Sequence, residues 1–375
     1  MKKSILFVNP DYHCTFLYRD ALRKLGWKAD IYVPKGYPEK LLYDTKDIIT
    51  VRKNIPKYFK PFYNLFVLIS FLFRYKYIFI YGYSIIPIVP ENIEKLFGEN
   101  FKLDLALSKL FRRRLIYLPS GCLDIDLKAN ISKYDNGMIC NNCGWGETAC
   151  NDVENRKKFS TLRRYFDIYI GFPEMESTQY PQTTIKYKAV DLSLWKPGLE
   201  IPEEFRLPPT KNLRILHSFF NENRENDGKN IKGSPFIIAA IERLRNEGYN
   251  VEYMYITDVP SRYMRYYQAQ ADIVVEQLIY GWWGSTGVET MALGKPVICY
   301  LRDDAKRNFF KHFPEYDALP IIEANISNIY DVLKKTVEDE EFRKKKSEES
   351  RRFAESFFDI EKNSRTLDRL LREEE

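Results

Sequence analysis

Cysteine is sparse in this sequence. Six in 375 residues are too few for a disulfide scaffold, so the fold must rest on an apolar core. Long hydrophobic runs are missing as well. The most apolar stretch, Phe62–Phe73, ends at Arg74 and Lys76, short of the roughly 20 apolar residues that a spanning helix needs. Met-Lys-Lys at the start is followed only by Ser4-Ile-Leu-Phe-Val8 before Asn9-Pro10-Asp11, too brief for a signal peptide. No internal repeat appears, nor a Walker loop, a Gly-x-Ser-x-Gly elbow or a His-Glu-x-x-His pair.

What the chain does contain is aromatic surface: 27 Tyr, 25 Phe and 5 Trp, or 15% of residues, within a hydrophobic fraction of 45%. Burying that much apolar area offsets the entropy lost on folding, which excludes a disordered chain. A charged fraction of 29% excludes a membrane-embedded body, and the length suits about two domains. The net charge of +6 is a small difference between 58 basic and 52 acidic residues. It is compatible with an anionic ligand or a membrane surface and is no sign of nucleic acid. Phe62–Phe73 reads as a buried helix feeding a strand at Tyr77–Tyr81. The alternative is a monotopic membrane contact, flanked by Lys53, Lys57, Lys60, Arg74 and Lys76. The expected location is cytoplasmic, the alternative adding peripheral contact with the inner face of the membrane.

Short apolar runs at Ile5–Val8, Lys28–Val33, Tyr77–Tyr81, Leu115–Leu118 and Asp167–Gly171 alternate with amphipathic stretches such as Thr15–Leu25. Alternation of this kind predicts a parallel sheet with helices on both faces. A Pro- and Glu-rich passage follows Asp191-Leu-Ser-Leu-Trp195-Lys-Pro197, and a second α/β unit then begins at Leu213. Ser234-Pro235 opens a helix there, with Ser as N-cap and Pro at the first helical position. Ile237, Ala240, Ile241 and Leu244 fall on one face, and Gly248 closes it. The expected organisation is residues 1–190, with a cysteine-containing insertion at about 120–155, a linker at 191–212, a second domain at 213–340 and C-terminal helices at 341–375 crossing back to the first domain.

Gly281, Gly284 and Gly287 lie between a strand and a short helix. Glycines let backbone N–H groups approach an anion, and a helix N-terminus adds about half a positive charge. Tight packing is the other explanation of such glycines. Glu289, one turn into the helix, is placed for ribose hydroxyls or for solvent. Read together, Lys232-Gly233, Ala271-Asp-Ile-Val-Val275 and Gly287-Val-Glu289-Thr-Met-Ala-Leu-Gly-Lys-Pro-Val-Ile298 resemble the donor half of GT-B glycosyltransferases, specifically the retaining family 4 (group 1) enzymes. The resemblance spans residues 213 to 302, with Ala189-Val-Asp191-Leu-Ser-Leu-Trp195-Lys-Pro197 similar to the family's interdomain passage.

That resemblance implies two facing Rossmann-like domains with an interdomain cleft, and hexosyl transfer with retention from a nucleotide-sugar to a glycan or lipid-linked acceptor. It implies no cofactor for transfer. Lys232 would match the diphosphate-binding lysine and Arg224, loosely, the arginine upstream of it. Ser285 and Thr286 fall where backbone holds the phosphates, between Gly284 and Gly287, and Glu289 matches the second glutamate of a paired motif. The first glutamate would fall at Gly281, leaving Glu276 as a substitute. The sugar-contacting histidine is expected where Pro119-Ser120-Gly121-Cys122 stands, leaving His13 as the nearest alternative. His217 ends a strand, as a core residue or a ligand contact. These departures keep open a catalytically inactive nucleotide- or glycan-binding protein, and a sugar-nucleotide epimerase is the other alternative.

Cys140-Asn-Asn-Cys143, with Cys150 downstream and Cys122 upstream, has spacing suited to a structural zinc or an iron–sulfur cluster. Unligated thiols and disulfides are the alternatives; Cys14 and Cys299 read as core. Asp124-Ile-Asp126 spells a divalent-metal motif but lies far from the nucleotide-type motifs, and solvated acids are its plainer reading. Arg112-Arg113-Arg114 reads as a solvated basic turn, or one facing phosphates or anionic lipid.

Overall fold

The structure is a computed structural model, and it describes residues 3–34, 37, 42–44, 46–51, 54–82, 84–119, 138–144, 152–174, 180–218, 225–226, 229–257 and 259–373. Contacts divide the chain into two units: Met1–Lys128, Ala149–Ile185 and Ser364–Glu375 form one, Ala129–Thr148 and Lys186–Asn363 the other.

In the first unit, β1 (Ser4–Val8), β2 (Lys28–Val33), β3 (Ile48–Thr50), β4 (Tyr77–Tyr81), β5 (Arg114–Leu118), β6 (Ile168–Gly171) and β7 (Thr183–Thr184) form a parallel sheet. Their order is β3-β2-β1-β4-β5-β6-β7, a doubly wound, Rossmann-like arrangement that reverses at β1. Ile5 to Val8 and Tyr77 to Ile80 are all buried. Central parallel strands are covered on both faces and therefore read as unbroken apolar runs. Helices α1 (Tyr12–Lys24), α2 (Lys60–Arg74), α3 (Glu91–Glu94), α4 (Leu103–Leu110) and, after α5 (Met138–Asn141) of the second unit, α6 (Asp152–Tyr165) connect them. The first helix starts three residues earlier than its apolar spacing predicts. Thr15 is already inside its first turn, where its hydroxyl accepts the Asp11 N–H at 2.8 Å. The second helix is only half-buried: Asn64, Leu68, Phe71 and Leu72 face the unit, while Phe62 and Phe66 do not. A helix that is apolar all round gives no sign of which side the sheet will cover.

In the second unit, β8 (Leu213–Ser218), β11 (Val251–Ile256), β12 (Ile273–Val275), β13 (Val297–Cys299) and β14 (Ile322–Glu323) form a parallel sheet in the order β11-β8-β12-β13-β14. The short strands β9 (Glu225–Asn226) and β10 (Lys229–Asn230) pair antiparallel. Helices α7 (Ser234–Asn246), α8 (Ser261–Ala269), α9 (Ser285–Ala292), α10 (Asp303–His312), α11 (Ile329–Glu338) and α12 (Glu340–Phe357) complete the unit. The stripe Ile237, Ala240, Ile241 and Leu244 of α7 packs into one core with Ile215, Ile273 and Leu333. Each Ile and Leu among them contributes about 1.5–3 kcal/mol by leaving water. Phe309, Phe353 and Phe357 stack into a ring cluster that also takes Trp283, so much of the aromatic content is core. Residues 191–212 group with this unit: Trp195 is fully buried, and its carbonyl accepts from Arg351 Nη1 at 2.9 Å. A last helix, α13 (Ile360–Glu373), belongs to the first unit from Ser364 on. There Trp27 Nε1 donates to Asp368 at 2.6 Å and the Tyr77 hydroxyl to the Leu371 carbonyl.

Candidate functional site

β8 stands where the order of the five-stranded sheet reverses, with β11 on one side and β12 on the other. Loops diverge at such a point, and ligands of doubly wound sheets bind beyond the carboxyl ends of the strands there. Those ends are His217-Ser218 and Val275-Glu276.

Glu276 is the centre of the arrangement. Its side chain is 1% exposed, and the Gly284 N–H, at the N-terminus of α9, donates to both carboxylate oxygens at 2.8 Å. Lys232 Nζ lies 3.6 Å from Oε1, and its side chain keeps 13% exposure. Burial pushes the Glu276 carboxyl above its usual range, against the pull of Lys232 and the Gly284 N–H; the nearby Glu289 charge pushes it further up. A cation and a helix N-terminus thus converge on a negative charge of the protein itself, as anion sites at helix ends do.

Contacts explain the three glycines of this loop. A Cβ at Gly284 would lie 2.8 Å from Glu276 Oε1, and one at Gly287 would lie 2.7 Å from Oε2 and 2.9 Å from Trp283 Cβ. At Gly281 the φ of +86° already favours glycine, and a Cβ would meet Arg302 Cγ at 2.1 Å. Arg302 is itself fixed there, donating to the Tyr280 carbonyl at 2.9 Å and pairing with Asp304 at 3.0 Å. Close packing therefore accounts for Gly281, and approach to a carboxylate for Gly284 and Gly287.

Lys232 is positioned by a turn. Asn230 Oδ1 accepts the N–H of Lys232 at 3.0 Å and of Gly233 at 3.2 Å, and the Lys232 carbonyl accepts the Leu278 N–H at 3.0 Å. Ser234 is the first helical residue of α7, not its cap; Gly233 caps it, with φ of 78°. The Ser234 hydroxyl is engaged elsewhere, 2.7 Å from His217 Nε2 and 3.0 Å from Asn230 Nδ2. His217 Nδ1 sits 2.9 Å from the Val275 carbonyl, which can only accept, so that nitrogen carries the proton. Burial, aided by the Lys232 charge, lowers the His217 pKa to about 3. It is a neutral core residue tying β8, β12 and α7 together beneath the site.

Ser218 and Thr286 hydroxyls meet at 3.2 Å across the opening of the loop, and Ser285 and Thr286 are half-buried in the first turn of α9. Glu289, 5% exposed, accepts from Gln268 Nε2 at 2.7 Å. Lys232, Glu276, Gly284, Ser285, Thr286, Gly287 and Glu289 thus belong to one neighbourhood of the second unit. His13 belongs to the first, buried with its ring 6.2 Å from that of Tyr43. Arg224, Cys122, Cys150, Asp124 and Asp126 lie outside the described residues. Cys140 and Cys143 are both partly exposed, with the Cys143 N–H donating to the Cys140 carbonyl at 3.2 Å. Among the described residues no group of three metal-binding side chains occurs. Asn230, Gln268 and Arg302 escaped the sequence reading; Asn two residues before Lys232 is an Asx-turn signal that points to the first of them.

No protein-family model and no curated protein sequence matches the chain. Solved structures do. Sucrose-phosphate synthase from Thermosynechococcus elongatus is 15% identical, with 99% of this chain and 98% of that one covered at a TM-score of 0.62. HepE from Anabaena, in complex with UDP-glucose, is 12% identical with 99% of each chain covered and a TM-score of 0.61. WaaG, a glycosyltransferase involved in lipopolysaccharide biosynthesis, is 11% identical, with 98% of this chain and 99% of that one covered at 0.54. At these identities the likeness is one of fold: the chain has the GT-B architecture of two Rossmann-like domains.

Proposed function

We propose that the protein is a glycosyltransferase that uses a nucleotide-diphosphate sugar and binds it in the second unit. The observation that carries this reading is the meeting of Lys232 with the N-terminus of α9 around the buried carboxylate of Glu276. Lys232, the first-turn N–H groups of Ser285 and Thr286, and the Ser218–Thr286 hydroxyl pair hold the diphosphate; Glu289, oriented by Gln268, takes the ribose. Such a set acts on the charge that develops on a departing diphosphate, which is where electrostatic catalysis gains most. The family 4 resemblance and the glycosyltransferase and UDP-glucose descriptions of the structural neighbours support the reading. Hexosyl transfer with retention, to a glycan or lipid-linked acceptor, follows from that resemblance.

A second reading, nucleotide binding without transfer, is favoured by one observation. Gly281, where the paired motif has its first glutamate, is packed against Arg302. Purified protein offered a panel of nucleotide-sugars with and without glycan and lipid-linked acceptors separates the two. Acceptor-dependent release of a nucleoside diphosphate is the expected result. Binding without release leaves the second reading, and no binding of any nucleotide-sugar contradicts both. For Cys122, Cys140, Cys143 and Cys150 we propose a structural zinc or iron–sulfur cluster. Metal analysis of the purified protein tests it, and a metal-free protein with four titratable thiols there would refute it.

A further inference from the structure

The first unit carries an apolar face that its own core does not use. Phe59, Phe62, Phe66 and Phe73 are 66%, 73%, 71% and 63% exposed. At 100° per residue these four lie within about 60° of arc along α2, opposite the buried Leu68, Phe71 and Leu72. The stripe does not stop at the helix end. Phe73 packs edge-on against Phe111, with ring centroids 5.5 Å apart, and Leu110 beside it is 74% exposed. Single exposed apolar residues need no explanation, but a row of aromatic side chains along one helix does.

Charge identifies the occupant. Residues 48–90 contain Arg52, Lys53, Lys57, Lys60, Arg74 and Lys76 and not one carboxylate, in a chain with 52 acidic residues among 375. Six cations against no acid match the whole molecule's excess of +6. Lys57 and Lys60 are exposed at one end of the aromatic row and Arg74 at the other. An apolar face bordered by cations and free of acids fits the headgroup boundary of an anionic bilayer, with the helix in the plane of the surface. No described helix is long and apolar enough to cross a membrane.

We infer that α2 docks the protein on an anionic phospholipid surface, with Phe59, Phe62, Phe66 and Phe73 entering the acyl boundary and the flanking cations meeting lipid phosphates. This goes beyond the donor-site reading and does not depend on it, because the measurement uses no nucleotide-sugar. The full chain is sedimented with vesicles of phosphatidylcholine alone and of phosphatidylcholine with an equal part of phosphatidylglycerol. The expected result is binding to the anionic vesicles only, weakened by high salt and reduced about tenfold or more in the Phe62→Glu, Phe66→Glu double variant. Both positions are exposed, and circular dichroism checks that the variant is folded. Absence of wild-type binding, equal binding to both vesicle types, or unchanged binding by the folded variant would overturn the proposal. So would a wild-type dimer that the double variant dissociates without any vesicle binding, since the face would then belong to a second copy.

Discussion

A carboxylate that is 1% exposed would cost several kcal/mol if nothing compensated its charge. Glu276 has Lys232 and the Gly284 N–H as compensation, and Lys232 is also the cation proposed for the donor. His217 supports them from below in its neutral form, and that gives a pH prediction. Its folded pKa of about 3 lies below the ordinary value of 6.5, so the unfolded chain binds the extra proton. The contribution of His217 to stability is complete above pH 6.5 and falls by about 1.4 kcal/mol per unit as pH drops toward 3. Urea denaturation at pH 7, 6 and 5 should show stability falling more steeply with acidification in the wild type than in His217→Gln. Equal slopes would mean that His217 is not held neutral. Among these residues the sequence pointed to the glycines and Glu289 by their place between a strand and a short helix, and to Lys232 through the resemblance to family 4 enzymes. The pairing of Glu276 with Gly284 was not legible, because it depends on the loop folding back on the end of β12.

Elements were the most legible level. β1, β4, β5 and β12 announce themselves as continuous apolar runs because helices cover both sheet faces. The errors have local causes. α7 begins at Ser234 and not after it because His217 and Asn230 occupy the serine hydroxyl that a cap would use. The exposure of half of α2 was not legible because a helix so uniformly apolar carries little marker of its covered side. For α13 the structure makes a quantitative claim. Leu367 and Leu371 are fully buried, and the helix is tied to the first unit through Asp368 and the Leu371 carbonyl. Leu367→Ala should therefore cost about 2–5 kcal/mol, read as a lowered urea midpoint. A loss under about 1 kcal/mol would show that the helix contributes little to that core.

At the scale of the molecule, composition said that two domains with ample core were affordable, and both units turn out to be doubly wound parallel sheets with reversals at β1 and β8. Alternating texture foretold this architecture for both halves, whereas motifs were confined to the second, where the candidate site lies. The net charge of +6 gave no hint of its own distribution. Residues 48–90, which include the exposed row of α2, hold six cations and no acid, and the proposed lipid contact rests on that pairing. The central claim is that the reversal at β8 is a nucleotide-diphosphate site built on Lys232. Titration calorimetry of the wild type and Lys232→Ala with nucleoside diphosphates tests it most directly. The account predicts binding by the wild type and an affinity at least about tenfold weaker in the folded variant, a difference of about 1.4 kcal/mol. Equal affinity in the two proteins would contradict it.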